Sequence, residues 1–413
     1  MVRELKHTEI GDIPIDWKLQ TFEETFSVLS SNTLSRENLN NRGGAVRNIH
    51  YGDILTKFSE VLDCKKENIP YINDLSLLTS SAQLLRDGDI VIADTAEDET
   101  VGKVTEVQNL GNGKLVAGLH TIPCRVKKGD FVSGWLGYYM NSHMYHNQII
   151  PYITGIKVAS ISKSAIANTW IVIPPIEEQK RIVEILSQTD LLIQKEQEVI
   201  NKITAVKMGC LAKIFPKEGE NIPEMRLPGF EGEWEVRKLG EVAEFNPKSE
   251  LPELFEYVDL ESVVGTEMIS HRTETKVSAP SRAQRLAKTG DLFYQTVRPY
   301  QRNNYLFGKS DNNYVFSTGY AQIRPSIESS FLMSYLQTDG FVKVVLDNCT
   351  GTSYPAINSS DLANITIKYP VNGAEQEQIG NYFRSIEHLI TLHQQKYHKY
   401  MKIKSGLISM LIR

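Results

Sequence analysis

Gly155-Ile-Lys-Val-Ala-Ser-Ile-Ser-Lys-Ser-Ala-Ile-Ala-Asn-Thr-Trp-Ile-Val-Ile-Pro-Pro-Ile-Glu-Glu-Gln-Lys-Arg-Ile182 and Gly351-Thr-Ser-Tyr-Pro-Ala-Ile-Asn-Ser-Ser-Asp-Leu-Ala-Asn-Ile-Thr-Ile-Lys-Tyr-Pro-Val-Asn-Gly-Ala-Glu-Gln-Glu-Gln-Ile379 are two versions of one segment. At an offset of 196, Gly155 meets Gly351, Ile161 meets Ile357, Asn168 meets Asn364 and Pro174 meets Pro370. One inserted residue moves the offset to 197, where Glu178-Gln179 meets Glu375-Gln376 and Lys207-Met-Gly meets Lys404-Ser-Gly. Upstream, Trp17 and Glu24 answer Trp234 and Glu241, and Gly88-Asp89 answers Gly290-Asp291. The chain is therefore one plan used twice, a mixed domain followed by a helix.

The helical parts are the clearest local structure. Pro174-Pro175 halts a strand, Pro175 suits a first helical turn, and Glu177 and Glu178 follow where the helix dipole favours acid. From there to Phe215 no proline occurs and Gly209 is the only glycine. A 3,4-spaced seam runs Ile182, Ile185, Thr189, Leu192, Glu196, Val199, Ile203, Val206, Cys210, Lys213. In the second copy it runs Ile379, Tyr382, Ile386, Leu389, His393, Lys396, Tyr400, Ile403, Leu407, Met410. Two mostly apolar seams in one chain predict that the helices pair. With Ile182 opposite Met410, an antiparallel pair sets Glu196 opposite Lys396.

The predicted fold is α+β: two mixed α/β domains separated by two long helices in an antiparallel coiled coil, with a pseudo-two-fold internal repeat. The boundaries read 1–174 for the first domain, 175–215 for the central helix, 216–233 for a turn-rich linker, 234–370 for the second domain and 371–413 for the last helix. Ile90-Val91-Ile92 and Leu292-Phe293-Tyr294 read as short strands after glycine turns, and residues 110–115 as a hairpin-type turn.

Composition restricts function. The 413 residues are 41% hydrophobic and 23% charged with a net charge of −5, so any nucleic-acid contact must come from local patches. Four scattered cysteines form no CxxC pair, the start has no apolar stretch, and no run of about 18 apolar residues occurs. The expectation is a reduced, cytoplasmic protein with no membrane contact. Catalytic and cofactor signatures are lacking. Asn246-Pro247 continues Lys248-Ser249, unlike an amino-methyltransferase motif, and Gly111-Asn-Gly-Lys114 lacks Walker spacing. His143 and His146 have no carboxylate partner at metal-binding spacing, so no metal is expected.

Binding chemistry is better represented. Within residues 272–302, Arg272, Lys276, Arg282, Arg285, Lys288, Arg298 and Arg302 face only Glu274 and Asp291. Arg298-Pro-Tyr300-Gln301-Arg302-Asn303-Asn304 mixes the side chains that read guanine and adenine edges with an aromatic ring. The first copy is weaker, with Arg36, Asn40, Asn41, Arg42, Arg47, Asn48 and His50 diluted by Glu37 and Asp53. One scaffold with two loop chemistries suits the reading of two different base sequences.

At this point the residues resemble a known family, the specificity (S) subunit of type I restriction-modification systems. The resemblance rests on Arg226-Leu-Pro-Gly-Phe-Glu-Gly-Glu-Trp234 with Lys238-Leu-Gly-Glu-Val, on Pro174-Pro-Ile-Glu-Glu-Gln-Lys-Arg-Ile182, and on Tyr354-Pro-Ala-Ile-Asn with Leu362. It covers nearly the whole chain. Val371-Asn-Gly-Ala-Glu-Gln departs from it where a Pro-Pro start is the pattern, so a looser helix start is expected there. The resemblance implies a non-catalytic subunit whose two target-recognition domains each read one half of a split target on double-stranded DNA while the helices set the spacer. It further implies modification subunits that bind S-adenosylmethionine and methylate adenines, and restriction subunits that cleave, in host defence; the chain itself would hold no cofactor. A second reading is a non-enzymatic coiled-coil scaffold tethering two modules for non-DNA ligands. A stand-alone methyltransferase is the third.

Overall fold

The computed structural model describes residues 4–155, 157–311, 313–351 and 353–412. The chain divides into two compact units, Met1–Lys195 with Tyr397–Arg413, and Glu196–Lys396. Each unit contains one mixed domain and a part of both long helices, Ile176–Ile214 and Gly373–Leu411.

In each domain a strand near the start pairs with the last strand. Lys18–Thr21 pairs antiparallel with Trp170–Ile173, and Glu235–Lys238 with Thr366–Tyr369. Because the last strand runs straight into a long helix, this pairing fixes where the helix leaves the domain. Inside the first unit, a sheet orders Phe26–Val28, Thr121–Val126, Ile90–Ala93, Val104–Gln108 and Val61–Asp63; its counterpart orders Ala243–Phe245, Tyr320–Pro325, Leu292–Gln295 and Tyr305–Leu306. Each domain adds a second sheet with one parallel pair, Val46–Ile49 with Lys114–Ala117 and Leu254–Val258 with Tyr314–Ser317. Residues 110–115 are a turn, but the strands on either side enter different sheets, so no hairpin forms. Tertiary pairing with Val46–Ile49 wins over the local turn.

The equivalent strands Ile90–Ala93 and Leu292–Gln295 are buried throughout and start from equivalent glycine turns, Gly88 at φ 85° and Gly290 at φ 91°. That left-handed backbone suits glycine. It delivers Asp89 and Asp291 into equivalent traps: Arg125 grips Asp89 at 2.8 and 2.6 Å, and Arg324 grips Asp291 at 2.8 and 2.8 Å. The same carboxylates accept from the backbone N–H groups of Arg86 and Lys288. Edge-to-face aromatic pairs also repeat, Trp17 on Trp135 and Trp234 on Phe331.

The Glu-Gln motif at each helix start clamps helix to domain. Gln179 accepts from Val132 N and donates to the Pro174 and Asp130 carbonyls; Gln376 accepts from Glu328 N and donates to the Pro370 carbonyl. Glu178 accepts from the Trp17 indole at 2.8 Å, and Glu375 is held by Arg226 at 2.9 and 2.8 Å. The second helix start, expected to be loose, is pinned by two buried side chains, Glu375 and Gln376.

Within the first unit, Ile182 and Leu186 share a core with Ile408 and Ile412; within the second, Leu211 and Ile214 share one with Ile379, Phe383 and Ile386. The start of each helix thus lies against the end of the other, an antiparallel pairing. The buried seam is Ile182, Leu186, Thr189, Glu196, Ile200, Leu211 and Ile214 on one helix, and Ile379, Phe383, Ile386, Ile390, Lys404 and Ile408 on the other, with Ile412 just past its end. Ile185, Leu389 and Ile403, expected in it, are exposed, and Val199 is half-buried beside buried Ile200. Alternate expected positions are buried as read, Ile182, Thr189 and Glu196 on one helix and Ile379 and Ile386 on the other, while the positions between them fall one residue later, at Leu186, Ile200, Phe383, Ile390 and Lys404. Neighbouring positions such as Ile185 and Leu186 are both apolar, and packing on the domain core selects Leu186.

Candidate nucleic-acid interface

In the second domain the structure separates residues that the sequence groups together. Arg298 leaves its strand with a left-handed backbone (φ 54°), fixed by a bond from its N–H to the Pro355 carbonyl at 2.8 Å. Its guanidinium lies 4.4 Å from the ring centroid of Tyr354, which is 64% exposed. This cation–π contact restrains the guanidinium beside the ring, a suitable place for a bidentate contact. A left-handed conformation costs a non-glycine residue about 1–2 kcal/mol, so packing and hydrogen bonds must enforce it here. Tyr300 and Gln301 are exposed beside it.

Arg302, also left-handed at φ 56°, faces inward instead. It donates to the Gln337 carbonyl at 2.9 Å and pairs with Asp339. Asn304 is buried, its side chain accepting from Gln295 N at 2.8 Å, and Asn303 accepts from Gly265 N at 2.8 Å. These three brace the loop. Arg272 is likewise engaged, by Asp259 at 2.8 Å and Glu274 at 2.9 Å, and lies over Tyr257. Arg285 is half-buried with its Nε unpartnered, and burial lowers its pKa from the usual arginine value. Arg282 is exposed.

The first domain's expected contacts are mostly structural. Arg36 makes a two-pronged bond to Asp53 at 2.9 and 2.8 Å, and Arg47 donates to the Cys64 carbonyl at 2.6 Å. Asn48 is fully buried and accepts from Asn32 at 2.7 Å. Burial, then the Arg36 charge, lowers the His50 pKa. Arg42 remains on the surface.

Strand pairing identifies what stands where Arg298 and Tyr354 stand. Val297 bridges Ala356 in the second domain, and Thr95 pairs with Ser160 in the first. Ala96 and Val158 therefore take the places of Arg298 and Tyr354. That region of the first domain carries Asp94, Thr95 and His120, with Thr95 Oγ1 2.8 Å from Asp94 and 3.3 Å from His120 Nδ1. Tyr51 packs edge-on to His120. Sequence reasoning had not selected Tyr354 or His120 as contacts. Both lie far along the chain from the basic stretches, and only the bridged loops bring them in.

The sequence model of the type I restriction modification DNA specificity domain matches residues 14–205 and 231–399, one match over each repeat. The chain belongs to this family. The specificity subunit is similar, at 24% identity over 98% of this chain and 95% of the relative, to the MjaX type I restriction enzyme specificity subunit of Methanocaldococcus jannaschii. The MjaVIII specificity subunit of the same organism is 26% identical over 62% of this chain and 64% of its own length. The fold is that of a type I restriction-modification system S subunit from M. genitalium, with a TM-score of 0.55 at 14% identity, covering 100% of this chain and 99% of that one. A chain solved in a study of the assembly and conformational transition of the type I R-M system gives a TM-score of 0.53 at 17% identity over 97% and 98%. As a specificity subunit this chain is the non-catalytic, DNA-recognising member of its system, which sets aside the scaffold and methyltransferase readings. No helix among the described residues is long and apolar enough to cross a membrane.

Proposed function

We propose that each domain reads one half of a bipartite duplex target and that the long helices set the spacer between the halves. The observation that carries this is the duplicated scaffold with unlike loops: Arg298 stacked on Tyr354 in one repeat, Ala96 and Val158 at the same places in the other. Identical loops would read a palindrome; these would not.

The partners proposed are modification subunits, which bring S-adenosylmethionine and methylate an adenine in each half-site, and restriction subunits, in the cytoplasm. A second apolar row supports docking of a protein partner on the helices. Ile185, Leu192 and Val206 on the first and Leu389, Ile403 and Met410 on the second are exposed at spacings of seven or fourteen residues. Such rows are costly to leave in water and mark interaction surfaces. The test is duplex binding by the chain assembled with its modification subunits. Sequence-selective binding that weakens steeply as salt rises supports the reading, because phosphate contacts release counterions. Salt-insensitive binding, or none, contradicts it.

A further inference from the structure

The helices Trp135–Met140 and His143–Ile149 of the first domain answer Ser329–Leu336 and Asp339–Asp347 of the second. Their caps fix the register: Ser142 accepts from Tyr145 N, and Thr338 from Phe341 N, an offset of 196. Aromatic contacts repeat at that offset, Tyr139 with Tyr145 and Tyr335 with Phe341. Tyr138 and Ser334 are therefore equivalent positions. On the long helices the offset of 197 equates Asp190 with Glu387 and Lys404 with Lys207.

In the first unit this site is filled. The Tyr138 hydroxyl donates to Asp190 at 2.6 Å, and Lys404 Nζ lies 5.6 Å from the Tyr138 ring centroid. Lys404 also pairs with Asp190 at 2.5 Å and with Glu60. Burial raises the pKa of Tyr138, and the Asp190 carboxylate raises it further, so the phenol stays protonated as a donor.

In the second unit the ion pair is kept, Lys207 with Glu387, but Ser334 has no ring to place on it. The Ser334 hydroxyl turns back to the Ser330 carbonyl at 2.9 Å. A half-open cleft of about 310 Å³ is left, walled by Leu211, Leu306, Met333 and Phe383 with Lys207 and Glu387 at its side. Small-molecule sites start at roughly 300 Å³.

We propose that this cleft binds a para-substituted phenol, the chemistry Tyr138 supplies in the other repeat. The apolar wall takes the ring, Lys207 favours its π face, and Glu387 accepts from the hydroxyl. The phenol is carried either by a free small molecule or by a tyrosine of a partner chain.

The probe is 4-methylphenol, titrated into the full chain by calorimetry and located by crystal soaking. One molecule per chain is expected, in this cleft. Toluene, which lacks the donor, is expected to bind at least about tenfold more weakly. Ser334→Tyr should abolish binding and raise the melting temperature, and Tyr138→Ser should create a second 4-methylphenol site. Undiminished binding by S334Y, or equal binding of toluene and 4-methylphenol, overturns the proposal. Should S334Y not fold, the toluene comparison and the stoichiometry of Y138S decide. Loss of 4-methylphenol binding when modification subunits are added assigns the phenol to a partner's tyrosine; unchanged binding assigns it to a free molecule. None of these readouts uses DNA, so they stand apart from the test of target reading.

Discussion

Glu196 and His393 occupy equivalent positions of the two repeats, 197 residues apart, and bind each other, with His393 Nδ1 2.7 Å from Glu196 Oε2. Lys396 pairs with the other oxygen of the same carboxylate. A polar group inside a coiled-coil seam commonly sets register at some expense of stability. Here it selects the alignment in which Cys210 also faces Tyr382 and Lys207 faces Glu387.

Glu196→Leu is expected to destabilise by about 1 kcal/mol, since it leaves His393 facing an apolar side chain. Adding His393→Leu should recover most of that loss. Chemical denaturation of the two single variants and the double variant measures the coupling. Strictly additive effects would mean that the two side chains do not meet in solution.

Acid should weaken the same contact. Hydrogen bonds from His393, then from Lys396, hold the Glu196 pKa below its usual value. A carboxylate depressed in the folded state contributes stability above its unfolded pKa, about 4.3, and loses that contribution as pH falls through the folded pKa. The melting temperature should therefore drop as pH goes below about 4.5, and Glu196→Gln should flatten that limb. An unaltered acid limb in the variant would contradict the assignment.

Asp291→Ala removes the partner of Arg324, of the Gln322 amide and of the Lys288 N–H at once. Breaking a buried pair from one side costs about 3–5 kcal/mol. Arg324 is partly exposed, so a loss of about 3 kcal/mol is expected by urea unfolding, and Asp89→Ala should behave alike. Losses below about 1 kcal/mol in both would show that these traps are not what holds the sheets.

Arg298 and Arg302 should separate in function. Arg298→Ala is expected to relax one position of one half-site, worth about 1–3 kcal/mol of discrimination, and Tyr354→Ala to do so more weakly. Arg302→Ala should lower stability and leave the target unchanged. Methylation mapping with a parallel melting curve checks both. Uniform loss across all sequences in Arg298→Ala would make that side chain a phosphate contact.

The repeat, the two long helices and their antiparallel sense were legible in the sequence because they depend on periodicity and on copied residues. The contact of Glu196 with Lys396 followed from that register alone. The alternate seam positions were not legible, because Ile185 and Leu186 are equally apolar and only the domain beneath them distinguishes the two. The candidate interface was half legible. Composition singled out Arg298 and Arg302 together, but which arginine is consumed by Asp339 and which rests on Tyr354 depends on elements distant in the chain.

The central claim, two unlike readers joined in one chain, is tested most directly by mapping methylated adenines genome-wide in cells that express this chain with its modification subunits. The expected result is one bipartite, non-palindromic target with a fixed spacer and a methylated adenine in each half, absent when the chain is deleted. A continuous or palindromic target, or methylation that persists without the chain, would contradict it.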